Sequence, residues 1–164
     1  MQNIETHDAQ ATGESQDRIR KEIILPAEPA RVWRALADAR EFGEWFRVDL
    51  GRATFAPGRK VAGKVREEGF EHIQWQVTIE EMIPERRLSY RWHPYAIDPA
   101  FDYSGEPETL VTFELAPAPG GTKLVLVESG FAGVPRARRD EAFRAHDQGW
   151  SIQCERIGAF VSRS

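Results

Sequence analysis

Apolar and polar positions alternate through residues 18–25 (RIRKEIIL), where Ile19, Ile23 and Leu25 are set among charges, and Pro26 stops the run. That is the period of a half-buried strand. The pattern then changes. Pro29 stands where the first turn of a helix tolerates a missing N–H, and Val32, Trp33 and Leu36 form a helical stripe behind it. Asp38 and Glu41 have the spacing of a capping box, with Asp38 accepting from backbone N–H groups and Glu41 reaching back. The spacing predicts helices over 29–37 and 39–46, the second burying Phe42, Trp45 and Phe46. Alternation returns afterwards: a short strand at Thr54-Phe55, another over 60–66, a long one over 72–82 with Ile73, Trp75, Val77 and Ile79 on one face, and one over 87–93 with Leu88, Tyr90 and Trp92 together. The segment 83–86 reads as a hairpin connection. Residues 94–107 form the longest loop. Strands over 109–115 and 123–129 close the β region, joined by residues 116–122. Last comes a long helix in which Phe143, His146, Trp150, Cys154, Ile157 and Phe160 recur at three- and four-residue steps. Gly149 and Gly158 interrupt it at about 1 kcal/mol each relative to Ala, which points to a close backbone approach to a neighbouring element.

The order strand, two short helices, six strands, long helix describes an α+β chain. Its expected architecture is a curved antiparallel sheet of about seven strands, its concave side covered by the final helix. Residues 1–17, acidic and polar, are expected to be a flexible tail, with a single domain over 18–164. At 164 residues and 41% hydrophobic content, with nine Phe and five Trp, the chain is large enough to bury a substantial core. The 22 basic and 26 acidic residues are interspersed, giving a net charge of −4. That argues against nucleic-acid binding, which needs concentrated positive charge. Arg136, Arg138 and Arg139, answered by Asp140 and Glu141, read as a solvated helix start. No apolar run is long enough to span a bilayer and no secretory leader is visible. One cysteine excludes an intrachain disulfide, so a cytoplasmic location is the expectation.

Beyond periodicity, the chain resembles a known family. The segment Pro29-x-x-Val32-Trp33-x-x-Leu36-x-Asp38, then Trp45-Phe46, then residues 84–92 (PERRLSYRW), the 109–115 strand and Gly149-Trp150 resemble the activator-of-Hsp90-ATPase-homologue-like family of the START/Bet v 1-like (SRPBCC) superfamily. The likeness spans residues 18–162. It implies a helix-grip fold with a cavity between the sheet and the last helix. It also implies hydrophobic small-molecule ligands, with cyclisation or aromatisation in some members of the superfamily. The founders of the family stimulate the Hsp90 ATPase but carry an additional N-terminal domain.

The candidate chemistry lies on the inner faces. Trp75, Tyr90, Trp92 and Phe113 belong to apolar faces of neighbouring strands, and Phe143 and Trp150 to the helix face that should meet them. Singly, each ring is ordinary core; as a group they are the expected wall of a ligand cavity, with the Tyr90 hydroxyl and indole N–H groups as polar handles. His146 falls on the same helix stripe. It is either a satisfied rim histidine or an acid, base or donor toward a ligand. Glu81 and Glu128 end apolar strand faces, and a Glu128–His146 pair is the contact to look for. Neither metal-ligand spacing nor a nucleophile elbow or phosphate loop occurs, so no cofactor and no metal are expected, and Cys154 reads as an inert small hydrophobe. The leading expectation is a module binding a small hydrophobic or amphipathic ligand, as a monomer or homodimer. The alternatives are an enzyme on the same scaffold (cyclase, dehydratase or hydrolase, using His146, Tyr90 or a pocket carboxylate) and an Hsp90 co-chaperone-like interaction module.

Overall fold

The computed structural model describes residues 17–163; the tail expected over 1–17 lies, apart from Asp17, outside them. Seven strands form one antiparallel sheet in the order β1-β7-β6-β5-β4-β3-β2: β1 (Arg18–Leu25), β2 (Val48–Asp49), β3 (Lys60–Val65), β4 (Gln74–Ile83), β5 (Arg87–Trp92), β6 (Thr109–Ala118) and β7 (Gly121–Ser129). Helices α1 (Pro29–Ala37) and α2 (Ala39–Phe46) follow β1, and α3 (Arg136–Ser162) ends the chain. The architecture is the expected α+β helix grip.

Strict alternation fixes which face of the sheet is inside. Ile19 and Leu25, Val61, Trp75, Val77 and Ile79, Leu88 and Tyr90, Val111, Phe113 and Leu115, and Leu124 and Leu126 are all buried. A register shift between Ile79 and Glu81 marks a bulge in β4, which locally bends and twists a strand. The Ser89 hydroxyl accepts the Glu81 N–H at this point (3.2 Å). Helices α1 and α2 meet at Asp38, whose carboxylate accepts from the Arg40 and Glu41 N–H groups. Glu41 does not reach back as a capping box requires; its carboxylate is drawn instead to Arg31 and Arg34, a pairing stronger than one backbone bond at a helix start.

Three further expectations are corrected. Thr54-Phe55 is not a strand; the short edge pairing is made by Val48–Asp49 against Val65 and Lys64. There β2 runs so close to β3 that a Cβ on Gly63 would collide with the Asp49 carbonyl. The connection over 116–122 is mostly strand, because pairing continues to Ala118 opposite Gly121 across a tight turn in which Gly120 and Gly121 take positive φ. Lastly, Gly149 approaches no neighbouring element among the described residues: beyond its own stretch of helix, a Cβ there would meet no atom within 4 Å.

Candidate functional site

The alternation that buries Leu124 and Leu126 carries Glu128 inward two residues later, and its side chain is wholly buried. Sheet register supplies its surroundings. Trp92 pairs directly with Thr109, and Glu128 lies opposite Val111, one diagonal step from Thr109. Across the interior, His146 and Trp150 share a face of α3, one turn apart. All four residues donate to the carboxylate. His146 Nδ1 (2.6 Å) and Trp150 Nε1 (2.8 Å) reach Oε1, while Trp92 Nε1 (2.8 Å) and Thr109 Oγ1 (2.6 Å) reach Oε2. Burial is the largest influence on this carboxyl and works to raise its pKa. Its pairing with His146, with the bonds from Thr109 and Trp150, outweighs that, and the pKa lies below the ordinary value. The four donors fill both oxygens, so Glu128 organises its neighbours and has no lone pair left for a ligand.

His146 carries the arrangement outward. Its Nε2 accepts the Tyr95 backbone N–H (3.1 Å). An imidazole nitrogen that accepts is unprotonated, so the proton is on Nδ1, directed at Glu128. Tyr95 belongs to the long loop after β5, and several contacts hold that loop down. The Arg138 guanidinium donates to the Pro94 and Tyr95 carbonyls and pairs with Glu106. The Tyr95 hydroxyl donates to Glu141 (3.0 Å), and His93 Nε2 meets the Glu106 carbonyl (3.0 Å). Arg138 is thus a clasp rather than the solvated residue expected from its charged neighbours.

Under the loop lies a cleft of about 1020 Å³, bounded by β4, the end of β5, the loop itself and the Ala145–His146 turn of α3. Of the seven predicted site residues, Trp75, Trp92 and His146 line it. Tyr90 and Phe113 stand behind that wall, with ring centroids 5.3 Å (Tyr90–Trp92) and 5.9 Å (Phe113–Trp150) from their neighbours. Trp150 is shared between that aromatic layer and the Glu128 cage. Phe143 does not meet the strand aromatics; it packs on Phe131, centroid to centroid 5.1 Å. Two buried polar groups in this layer, Trp75 Nε1 and the Tyr90 hydroxyl, have no hydrogen-bond partner among the described residues. Burial, and after it the negative charge of Glu128, pushes the Tyr90 pKa well up, so its hydroxyl stays a donor. The predicted Glu128–His146 pair is present, whereas Glu81 lies on the outside beside Arg87.

Neither Thr109 nor Tyr95 stands out in the sequence, and Arg138 does so only as part of a charged helix start. Thr109 had a signal, being a polar residue on the inward alternation of Val111, Phe113 and Leu115. Tyr95 had none, because its bond to His146 is made by the backbone N–H. Among the described residues, no group of three or more His, Cys, Asp or Glu side chains could hold a metal ion, and no helix is long and apolar enough to cross a membrane.

Comparison with known proteins agrees with this architecture. MLL2253 from Mesorhizobium loti superposes with a TM-score of 0.69 at 26% identity, covering 90% of this chain and 98% of that one. Mll3558 from Rhizobium loti does so with a TM-score of 0.64 at 27% identity, covering 87% and 95%. The Aha1 dimer from Colwellia psychrerythraea shares the fold at 17% identity, with a TM-score of 0.62 and coverage of 86% and 92%. No curated protein matches by sequence. The family described as Activator of Hsp90 ATPase homolog 1-like protein matches residues 26–162, and the chain belongs to that family.

Proposed function

We propose that the protein binds a small amphipathic molecule in the cleft between β4, β5 and α3, beneath the 94–107 loop. One observation carries this reading: Trp75, 95% buried on the cleft wall, keeps an indole N–H for which no atom of the described residues serves as acceptor. An unpaired buried donor costs on the order of 1–3 kcal/mol, and a ligand oxygen against it recovers that cost. The rest of the wall suits the same guest. Aromatic rings offer area, a few polar groups offer orientation, and the volume matches pockets that enclose drug-sized molecules.

Titration with the neutral fluorescent probe N-phenyl-1-naphthylamine tests this. Saturable binding at one site is expected. Ala145→Trp, which places an indole on the cleft wall, should weaken it by roughly tenfold or more, ~1.4 kcal/mol, with an unchanged far-ultraviolet circular dichroism spectrum. Absence of saturable binding, or binding indifferent to Ala145→Trp, would sink the reading.

A further inference from the structure

The polarity of His146 restricts what the cleft can hold. Glu128 Oε1 claims the proton on Nδ1, so Nε2, the nitrogen on the cleft side of that bond, offers a lone pair and no proton. We propose that this nitrogen is the polar anchor of the ligand site, and that it selects neutral or cationic molecules bearing a hydroxyl or N–H donor over carboxylates. This rests on the ligand-binding reading above and adds the chemical class of the ligand.

Nε2 is now satisfied by the Tyr95 N–H, so a ligand donor must take that place. Tyr95 is poised to yield it. Its φ is +56°, a left-handed conformation that costs a residue with a Cβ on the order of 1 kcal/mol. The loop around it is held mainly by polar contacts to Arg138, Glu141 and His93; Pro94 is its one buried residue, and its Phe101 is half exposed. Exchanging the Tyr95 N–H for a ligand O–H or N–H keeps the Nε2 bond, frees the strained residue and opens the loop over the cleft. A carboxylate has no proton to give to Nε2. It would also meet Asp98, Asp102 and Glu108 on the cleft wall, with Lys60 the one lysine or arginine there. Asp102 is held below its usual pKa chiefly by hydrogen bonds from Ser104, and so keeps its charge in mild acid. The Trp75 N–H fits the same class, since a hydroxyl that donates to Nε2 retains lone pairs of its own, as does a carbonyl elsewhere on the molecule.

A matched series separates this proposal from the reading beneath it. The series is 2-naphthol, 2-naphthylmethylamine and 2-naphthoate, each competing with N-phenyl-1-naphthylamine at neutral pH. The first two should displace the probe at least about tenfold more tightly than the carboxylate. Equal or tighter binding of 2-naphthoate overturns the proposal while leaving a ligand cleft in place. Failure of the probe and of every naphthyl compound to bind overturns both. An independent readout is the ¹⁵N spectrum of the His146 ring. In the free protein, protonated Nδ1 and unprotonated Nε2 are expected, with the Nε2 resonance and the Tyr95 amide both moving when 2-naphthol is added. A proton found on Nε2 of the free protein overturns the proposal without any ligand.

Discussion

The two halves of α3 are held by different forces. From Trp150 onward, the helix is seated by burial: Trp150, Ile157, Phe160 and Val161 are all inside. Before Trp150, Ala142 is the one buried residue, and the helix is tied down mainly by polar contacts: Arg138, Glu141 and His146 to the loop, and Asp147 to Lys21. Burial of large side chains is lost all at once, whereas separate hydrogen bonds can be exchanged singly at a net ~1 kcal/mol apiece. Rigidity therefore belongs to the C-terminal half and adaptability to the half that borders the cleft. Ligand sites are drawn from the less stable parts of a fold for this reason.

Trp150 sits at the junction, and its loss should be the most severe change. Trp150→Ala removes a buried ring and one of the four Glu128 donors, and should cost about 3–5 kcal/mol in a urea melt. A cost under about 1 kcal/mol would show that the junction is not where the two halves meet. Next comes Glu128→Gln, which faces an amide N–H₂ toward groups that already donate. We expect a loss of about 3 kcal/mol at neutral pH. The pH dependence has a definite sign. A carboxyl with its folded pKa below its unfolded pKa stabilises fully above the unfolded value, and that contribution disappears as pH falls through the lowered one. The difference in stability between the native protein and Glu128→Gln should therefore shrink on acidification below the ordinary carboxylate range; a constant difference down to strong acid refutes an ionised Glu128.

Arg138→Ala probes the polar half alone. It should cost about 1–2 kcal/mol globally while greatly speeding amide hydrogen exchange across residues 94–107, with exchange near Ile157 changed far less. Uniform acceleration would mean that the two halves open together. The smallest effect runs the other way. Gly149→Ala adds a methyl where nothing stands within 4 Å and removes backbone freedom from the unfolded chain, so it should stabilise by about 0.5–1 kcal/mol. Destabilisation would point to a kink that this glycine permits.

Much of this was legible in the residue pattern. Both short helices match their expected bounds, since Pro29 and Asp38 are local start signals. The inner face of every long strand follows from period-two alternation. Failures occurred where long-range pairing decides the outcome. The Val48–Asp49 edge exists because β3 runs beside it, and nothing within two residues can announce that. Arg138 looked solvated because its acidic neighbours in sequence are close, while the Pro94 and Tyr95 carbonyls that it grips lie more than forty residues earlier. Phe143 shared the helix period of Trp150, yet the short 3₁₀ turn carrying Phe131 reached it before the sheet did.

Local spacing put Glu128 and His146 in line with apolar faces, because side-chain direction in a strand or helix follows its own backbone. That they are inside was decided by packing, since Glu81, placed by the same rule, lies outside at the β4 bulge. Which of their atoms meet, and that the Trp92 and Trp150 N–H groups converge on one carboxylate, was decided by strand register and by the height at which α3 crosses the sheet. The loop that supplies the Tyr95 N–H has no period to read. Its path is set by contacts to residues far along the chain, and those exist only once the rest has folded.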